Sequence, residues 1–206
     1  MKLIFLHGLG QTAASWKEVQ DLLADHPSEA LELFPVGVDS YQEAKKRIAK
    51  YLSEEKKPFV LIGLSLGATL ALELSTSYDL PNLQGLVLSG CPVKLAGNIL
   101  FKIQLMIFKL LPKSFFEKQG ADKALMVGVS EELKTLDLTQ VAQNCYYPTL
   151  LICGSQDKPN LSSMRGLHQL MSDSKLQIIP DGPHTLNTDK PKEFAEKTRS
   201  FLELLE

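Results

Sequence analysis

At 206 residues, 44% of them apolar, the chain is long enough for one domain with a substantial core and too short for two ordinary ones. A net charge of -2 and a pI near 6.1, with no Lys or Arg cluster interleaved with aromatics, exclude an electrostatic footprint for nucleic acid. Three cysteines, Cys91, Cys145 and Cys153, are odd in number, sit in or beside apolar runs and lack zinc or disulfide spacing, so they read as buried thiols of a reducing compartment.

In chain order, apolar runs of strand length recur at Leu3 to Leu6, Leu31 to Val36, Phe59 to Leu64, Gly85 to Leu88, Thr149 to Cys153 and Leu176 to Ile179. Helical stretches are expected at Ala13 to Ala24, Tyr41 to Glu54, Leu66 to Ser77, Leu161 to Met171 and Lys192 to Leu205. Near-continuous apolar strands alternating with helices predict a six-stranded parallel sheet covered on both faces, a three-layer α/β/α sandwich. The first apolar run is too short for a secretory signal or an anchor, and Ile99 to Leu111 contains Lys102, Gln104 and Lys109 and falls short of a bilayer span. A cytoplasmic protein without a membrane span, monomeric or homodimeric, is expected.

The alternation breaks between Cys91 and Tyr147. Residues 92–146 are expected to form a helical insertion in a single domain spanning 1–206. Within it, Ile99, Leu100, Ile103, Met106, Ile107, Leu110 and Leu111 recur at helical spacing and predict a small lid over the strand ends.

Chemistry is expected beyond the carboxyl ends of the strands. Gly63-Leu64-Ser65-Leu66-Gly67 joins a strand-like run to a helix-like one, and a serine at such an apex has its Oγ lifted out of the sheet. The flanking glycines answer the close approach of strand and helix. Ser65 is therefore the candidate nucleophile, and a serine hydroxyl needs a base and a group that orients the base. Of four histidines, His184 stands in a loop after the last strand and is the candidate general base. Asp157, just past the fifth strand, is the candidate acid, with Asp181 as its rival. His7-Gly8-Leu9-Gly10-Gln11 ends the first strand, where the backbone amide of Leu9 can join that of Leu66 as an oxyanion hole and His7 can brace the loop.

With these residues in place, the chain resembles the α/β-hydrolase superfamily over nearly its full length. His7-Gly8 is similar to that family's oxyanion strand end, Gly63 to Gly67 to its nucleophile elbow, Gly154-Ser155-Gln156-Asp157 to its acid loop, and Gly182-Pro183-His184 to its histidine loop. The sheet is a reduced form, because the His-Gly strand starts at Lys2, and Pro183 stands where a glycine is common. The resemblance implies a serine hydrolase acting on a small-molecule acyl substrate without metal or organic cofactor. A carboxylesterase-like activity on small or medium esters is expected first. Thioesterase, acyltransferase and C–C hydrolase or lyase activities on the same triad are alternatives, as is a non-catalytic binding protein of hydrolase fold.

Overall fold

The computed structural model describes residues 1–118 and 120–205. Strand β1 (Lys2–Leu6) leads through a 3-10 turn (Ala13–Trp16) into α1 (Lys17–Leu22), followed by β2 (Ser28–Leu31) and α2 (Tyr41–Glu54). Next come β3 (Phe59–Leu64), α3 (Leu66–Ser77) and β4 (Leu83–Ser89). Four helices then intervene: α4 (Ile99–Leu110), α5 (Lys113–Glu117), α6 (Lys123–Leu133) and α7 (Thr139–Gln143). The chain closes with β5 (Thr149–Gly154), α8 (Lys158–Leu170), β6 (Ser174–Ile179), α9 (Leu186–Asp189) and α10 (Pro191–Leu202).

The strands form one six-stranded sheet in the order β2-β1-β3-β4-β5-β6, every neighbouring pair parallel. Successive strand side chains point to opposite faces, so the central strands of a parallel sheet covered on both faces are apolar at nearly every position, while the edge strands β2 and β6 carry polar residues. In β1 and β3, Ile4, Leu6 and Leu61 enter the core beneath α2, α3 and α8, while Leu3, Phe5, Val60 and Ile62 enter the one beneath α1 and α10. Trp16 anchors the second core, its ring 5.0 Å from Phe5 and 5.4 Å from Phe194. Each fully buried side chain of this size is worth about 1.5–3 kcal/mol of transfer free energy, so the two faces hold the sheet far more firmly than any surface ion pair.

One predicted strand is displaced. The apolar run Leu31 to Val36 was expected to pair, yet β2 is Ser28–Leu31. Its partner β1 ends at Leu6, and the Leu33 amide donates instead to His7 Nε2 at 3.0 Å. Leu33 is buried all the same, so the apolar run records burial beyond the strand end, and Val36 is fully exposed. At the amino end of the first helical stretch a 3-10 turn replaces α-helix, whereas α2 and α3 have the expected bounds.

Candidate active site

The turn from β3 into α3 is the most constrained in the molecule. Ser65 has φ 54° and ψ -111°, a conformation L-residues rarely adopt and one that costs about 1–3 kcal/mol. Its surroundings impose it. The Ser65 amide donates to the Ser89 carbonyl at the end of β4 (2.8 Å), and the Ser65 carbonyl accepts from the Thr69 amide (2.9 Å) and hydroxyl (3.1 Å). A Cβ on Gly63 would lie 2.5 Å from the Ala68 nitrogen, and one on Gly67 would lie 2.2 Å from the Leu6 carbonyl oxygen. Only hydrogen fits at either place, which is the steric reason for the Gly-x-Ser-x-Gly spacing.

Two and three strands along the sheet from β3, Asp157 follows β5 and His184 follows β6. Their loops are tied together: Gln156 donates its amide to the Gly182 carbonyl (2.9 Å), Ser155 donates its amide to the Ile179 carbonyl (2.9 Å), and the Asp181 amide donates to Ser155 Oγ (2.9 Å). A Cβ on Gly154 would fall 2.1 Å from the Gly182 oxygen, so the two backbones touch. The consequence is a direct contact, with His184 Nδ1 2.6 Å from Asp157 Oδ2. With Nδ1 donating to the carboxylate, Nε2 is the ring nitrogen left to take a proton. The imidazole is partly exposed while the carboxylate is nearly buried, their side chains retaining 38% and 6% of full exposure. Burial alone would raise the Asp157 pKa. The hydrogen bond and charge of His184, helped by Asn160, outweigh it and hold the carboxyl below its ordinary range. Asp181, the rival acid, has positive φ and serves the loop through its backbone.

Two residues of this site escaped the sequence reading. Asn160, on the first turn of α8, donates from Nδ2 to both Asp157 oxygens (2.9 and 3.1 Å) and lies 3.3 Å from His184 Nδ1. Gly90, directly after β4, has φ 55°, and a Cβ there would sit 2.9 Å from His184 Cε1 and 3.4 Å from Asp157 Oδ2. Gly90 follows Ser89, the residue bonded to Ser65, so the imidazole rests against the strand end that also fixes the serine turn. The visible signals were an Asp-x-x-Asn spacing and a glycine closing a strand, both commonplace without the fold.

The loop after β1 is braced through side chains. His7 is buried, with Nδ1 2.8 Å from the Gly8 carbonyl oxygen and Nε2 facing Glu32 Oε1 (2.8 Å) and the Leu33 amide (3.0 Å), so neither nitrogen is available as a base. Gln11 accepts from the Gly8 amide (3.2 Å) and pairs with buried Asn187, whose Nδ2 also donates to the Ser15 carbonyl (3.2 Å). The amide of Leu66, first in α3, has no intrahelical acceptor. Neither it nor the Leu9 amide donates to a protein acceptor among the described residues. The thiols of Cys91 and Cys153 are pushed up to about 12 by burial and offer no nucleophile at neutral pH. Among the described residues no group of three or more His, Cys, Asp or Glu side chains is arranged to hold a metal ion.

A parallel α/β/α sheet carrying a strained serine turn and an Asp–His pair at its strand ends defines the hydrolase class of fold. The chain belongs to the alpha/beta hydrolase family, whose model matches residues 3–197. A 100-residue stretch is 32% identical to a putative 2-succinyl-6-hydroxy-2,4-cyclohexadiene-1-carboxylate synthase of Haemophilus influenzae, covering 44% of this chain and 40% of that protein. A 55-residue stretch is 31% identical to the Bacillus subtilis protein of the same description, covering 27% and 20%. The matched stretches thus span less than half the length of these relatives. Among solved structures, a lipase-esterase related protein from Clostridium acetobutylicum superposes with TM-score 0.82 at 20% identity, over 97% of this chain and 93% of that one. MenH from S. aureus gives 0.81 at 16% identity, over 100% and 94%. An esterase from Exiguobacterium antarcticum gives 0.83 at 14% identity, over 98% and 92%. These likenesses are of fold.

Proposed function

We propose that the protein is a serine hydrolase that cleaves a small or medium carboxylic ester through an acyl-enzyme. The observation that carries this reading is the 2.6 Å His184–Asp157 contact at the same carboxyl end of the strands as the strained turn of Ser65. In this reading His184 Nε2 takes the Ser65 hydroxyl proton as Oγ adds to the substrate carbonyl. Asp157 holds the Nδ1–H tautomer and stabilises the imidazolium. The amides of Leu9 and Leu66 take the developing oxyanion, each such donor being worth about 10²- to 10³-fold in turnover. The imidazolium then gives its proton to the departing alkoxide. Water, deprotonated by the same histidine, hydrolyses the acyl-serine and restores the enzyme, with no metal or organic cofactor required.

Residues 1–206 form, in the same reading, one domain whose insertion at about 92–146 lies over the strand ends as a lid. Met126 of α6 supports this placement, because a Cβ on Gly10 in the loop after β1 would lie 3.5 Å from its sulfur.

A lyase reading is favoured by one observation, the partial likeness to the two putative 2-succinyl-6-hydroxy-2,4-cyclohexadiene-1-carboxylate synthases. A succinyl cyclohexadiene carboxylate carries two carboxylates, which guanidinium groups bind well. Of the three arginines, Arg47 donates to the Glu32 carbonyl and Arg199 pairs with Asp25, both away from the triad. That leaves Arg165 alone, so we favour the ester.

Hydrolysis of p-nitrophenyl acetate, butyrate, octanoate and palmitate by wild type and Ser65→Ala, with a serine-directed phosphonate probe alongside, tests the proposal. Turnover and labelling that vanish together in the variant are expected. Labelling without cleavage of any ester would move the assignment to the lyase or thioesterase reading. Neither labelling nor turnover would leave a binding role for the cleft.

A further inference from the structure

Helix α4 is apolar on both sides, yet only one side is packed. With about 100° between successive residues, Phe101, Leu105 and Phe108 project to one side. Leu105 is buried, Phe101 packs on the core, and the Phe108 ring meets Phe116 edge-on at 5.6 Å. The opposite side carries Ile99, Leu100, Ile103, Met106, Ile107 and Leu110, all exposed, with Ile99, Leu100 and Leu110 at 70% or more. A helix that is apolar all round is ordinarily buried, and a contiguous apolar face of this kind marks an interaction site.

Charge indicates what covers it. From Lys94 to Phe116 the chain has four lysines and no carboxylate. Over residues 92–146 seven lysines face five carboxylates, a net +2, while the rest of the chain holds fifteen basic and nineteen acidic residues, a net -4. Some of this charge is paired, Lys109 and Lys134 with Glu131, Lys94 with Asp137, and Lys113 with Glu117. Lys102 and Lys109 border the apolar face where a cavity of about 590 Å³ opens between α4 and α6, with Lys134 across it. None of the triad residues lines that cavity.

We propose that the outward face of α4 docks on the surface of an anionic lipid bilayer, its apolar side chains entering the interface and its lysines meeting the headgroups. An apolar face bordered by lysines is the pattern of a helix that lies in the membrane plane, where long ammonium stems keep their charge at headgroup level. A second copy fits less well, because antiparallel two-fold pairing of this face would set the Lys102 and Lys109 edge of one helix along the same edge of the other. The helix lies on the membrane and does not span it; no helix among the described residues is long and apolar enough to cross one.

Co-sedimentation of the full chain with vesicles of phosphatidylcholine alone, and of phosphatidylcholine mixed with phosphatidylglycerol, tests the docking. Binding to the mixed vesicles at least about tenfold tighter than to the neutral ones, and weakened by salt, is expected. Ile103→Gln combined with Ile107→Gln should lower vesicle affinity about tenfold or more with the melting curve unchanged, since both side chains are exposed. Lys102→Glu combined with Lys109→Glu should remove the preference for anionic vesicles and guards against misreading an unfolded apolar variant. No vesicle binding by wild type, or equal binding to both compositions, overturns the proposal. A dimer in solution that the Ile103/Ile107 variant dissociates, without vesicle binding, would assign the face to a second copy and overturn it as well.

Discussion

The strand-end site and the helical segment between β4 and β5, the proposed insertion, use glycine in opposite ways. At Gly63, Gly67, Gly90 and Gly154 an added Cβ would come within 3 Å of neighbouring atoms, and three of the four clashes are with backbone. At Gly97, Gly120 and Gly128 in the insertion, nothing lies within 4 Å. The site is over-determined, with each loop held by the backbone of the next, and the strain at Ser65 persists because its neighbours leave no alternative. The insertion is held by apolar packing, by backbone hydrogen bonds near its two ends such as Leu138 to Val93, by Glu132 accepting the Tyr41 and Gln42 amides, and by a few exposed ion pairs, which contribute little. The strand-end geometry is expected to be intolerant of one added carbon; in the insertion Gly128 should accept one, whereas Gly97 and Gly120 have open space but a positive φ that disfavours any side chain.

The largest effect should come from the strained turn itself. Ser65→Ala should lower kcat/KM by at least about 10⁴-fold in an ester assay, as loss of a serine nucleophile does. Ser65→Gly should abolish activity equally while raising stability by about 1 kcal/mol, because glycine adopts positive φ without penalty. A urea titration of both variants separates chemistry from strain. If Ser65→Gly were no more stable than Ser65→Ala, the strain argument would fail.

Next in size is Gly90→Ala. Its Cβ would press on the His184 ring at 2.9 Å in a backbone conformation that alanine already resists. A displaced imidazole should cost on the order of 10²-fold in kcat, with a far smaller change in KM. Asn160→Ala removes a donor to both Asp157 oxygens and should cost on the order of tenfold, appearing in kcat and in its pH profile. An Asn160→Ala enzyme with wild-type kcat at every pH would show that the His184–Asp157 contact needs no third partner.

What could be read from residues alone divides along the same line. The six parallel strands, the two helices α2 and α3, and the spacing around Ser65 follow from apolar periodicity and from glycine sterics acting within a few residues. The register of β2 did not follow, because burial of Leu33 under a helix leaves the same apolar mark as strand pairing. Gly90 and Asn160 escaped for a different reason: Gly90 meets His184 from 94 positions away across the sheet, and the Asp157–Asn160 pair, three positions apart, gains its meaning only when His184 is brought beside it. For α4 the spacing correctly indicated a helix, but a two-sided stripe does not tell which side is packed. Phe101, Leu105 and Phe108 turn inward, and most of the residues singled out by spacing turn out.

A pH titration sharpens the comparison further. The Asp157 pKa is lowered in the folded protein from its ordinary 3.8, so its ionised form contributes stability above that value. That contribution is lost as pH falls through the lower folded pKa, because the unfolded chain binds the proton first. Asp157→Asn should therefore flatten the acid limb of the stability curve below about pH 4. Glu131 in the insertion is held at about 2 by Lys109 and Lys134, but its lysine partners are more than half exposed and the pairs are screened by water, so Glu131→Gln should change the same limb much less. Urea midpoints of the two variants and wild type across the acid range measure the difference. Equal changes would mean that the insertion is as tightly built as the site.

The smallest effect is expected at Gly128, inside α6. A Cβ there meets nothing within 4 Å, and φ is not positive, so only backbone entropy distinguishes glycine from alanine. Gly128→Ala should raise stability by about 0.5–1 kcal/mol, or a few degrees in melting temperature, with ester turnover unchanged. The sign matters more than the size. A loss of stability would reveal a close neighbour in the folded protein and would place the insertion under the same steric rule as the strand ends. A gain in stability paired with a loss of turnover would show that α6 must flex for substrate to reach the serine. The insertion would then be loosely built because it has to move.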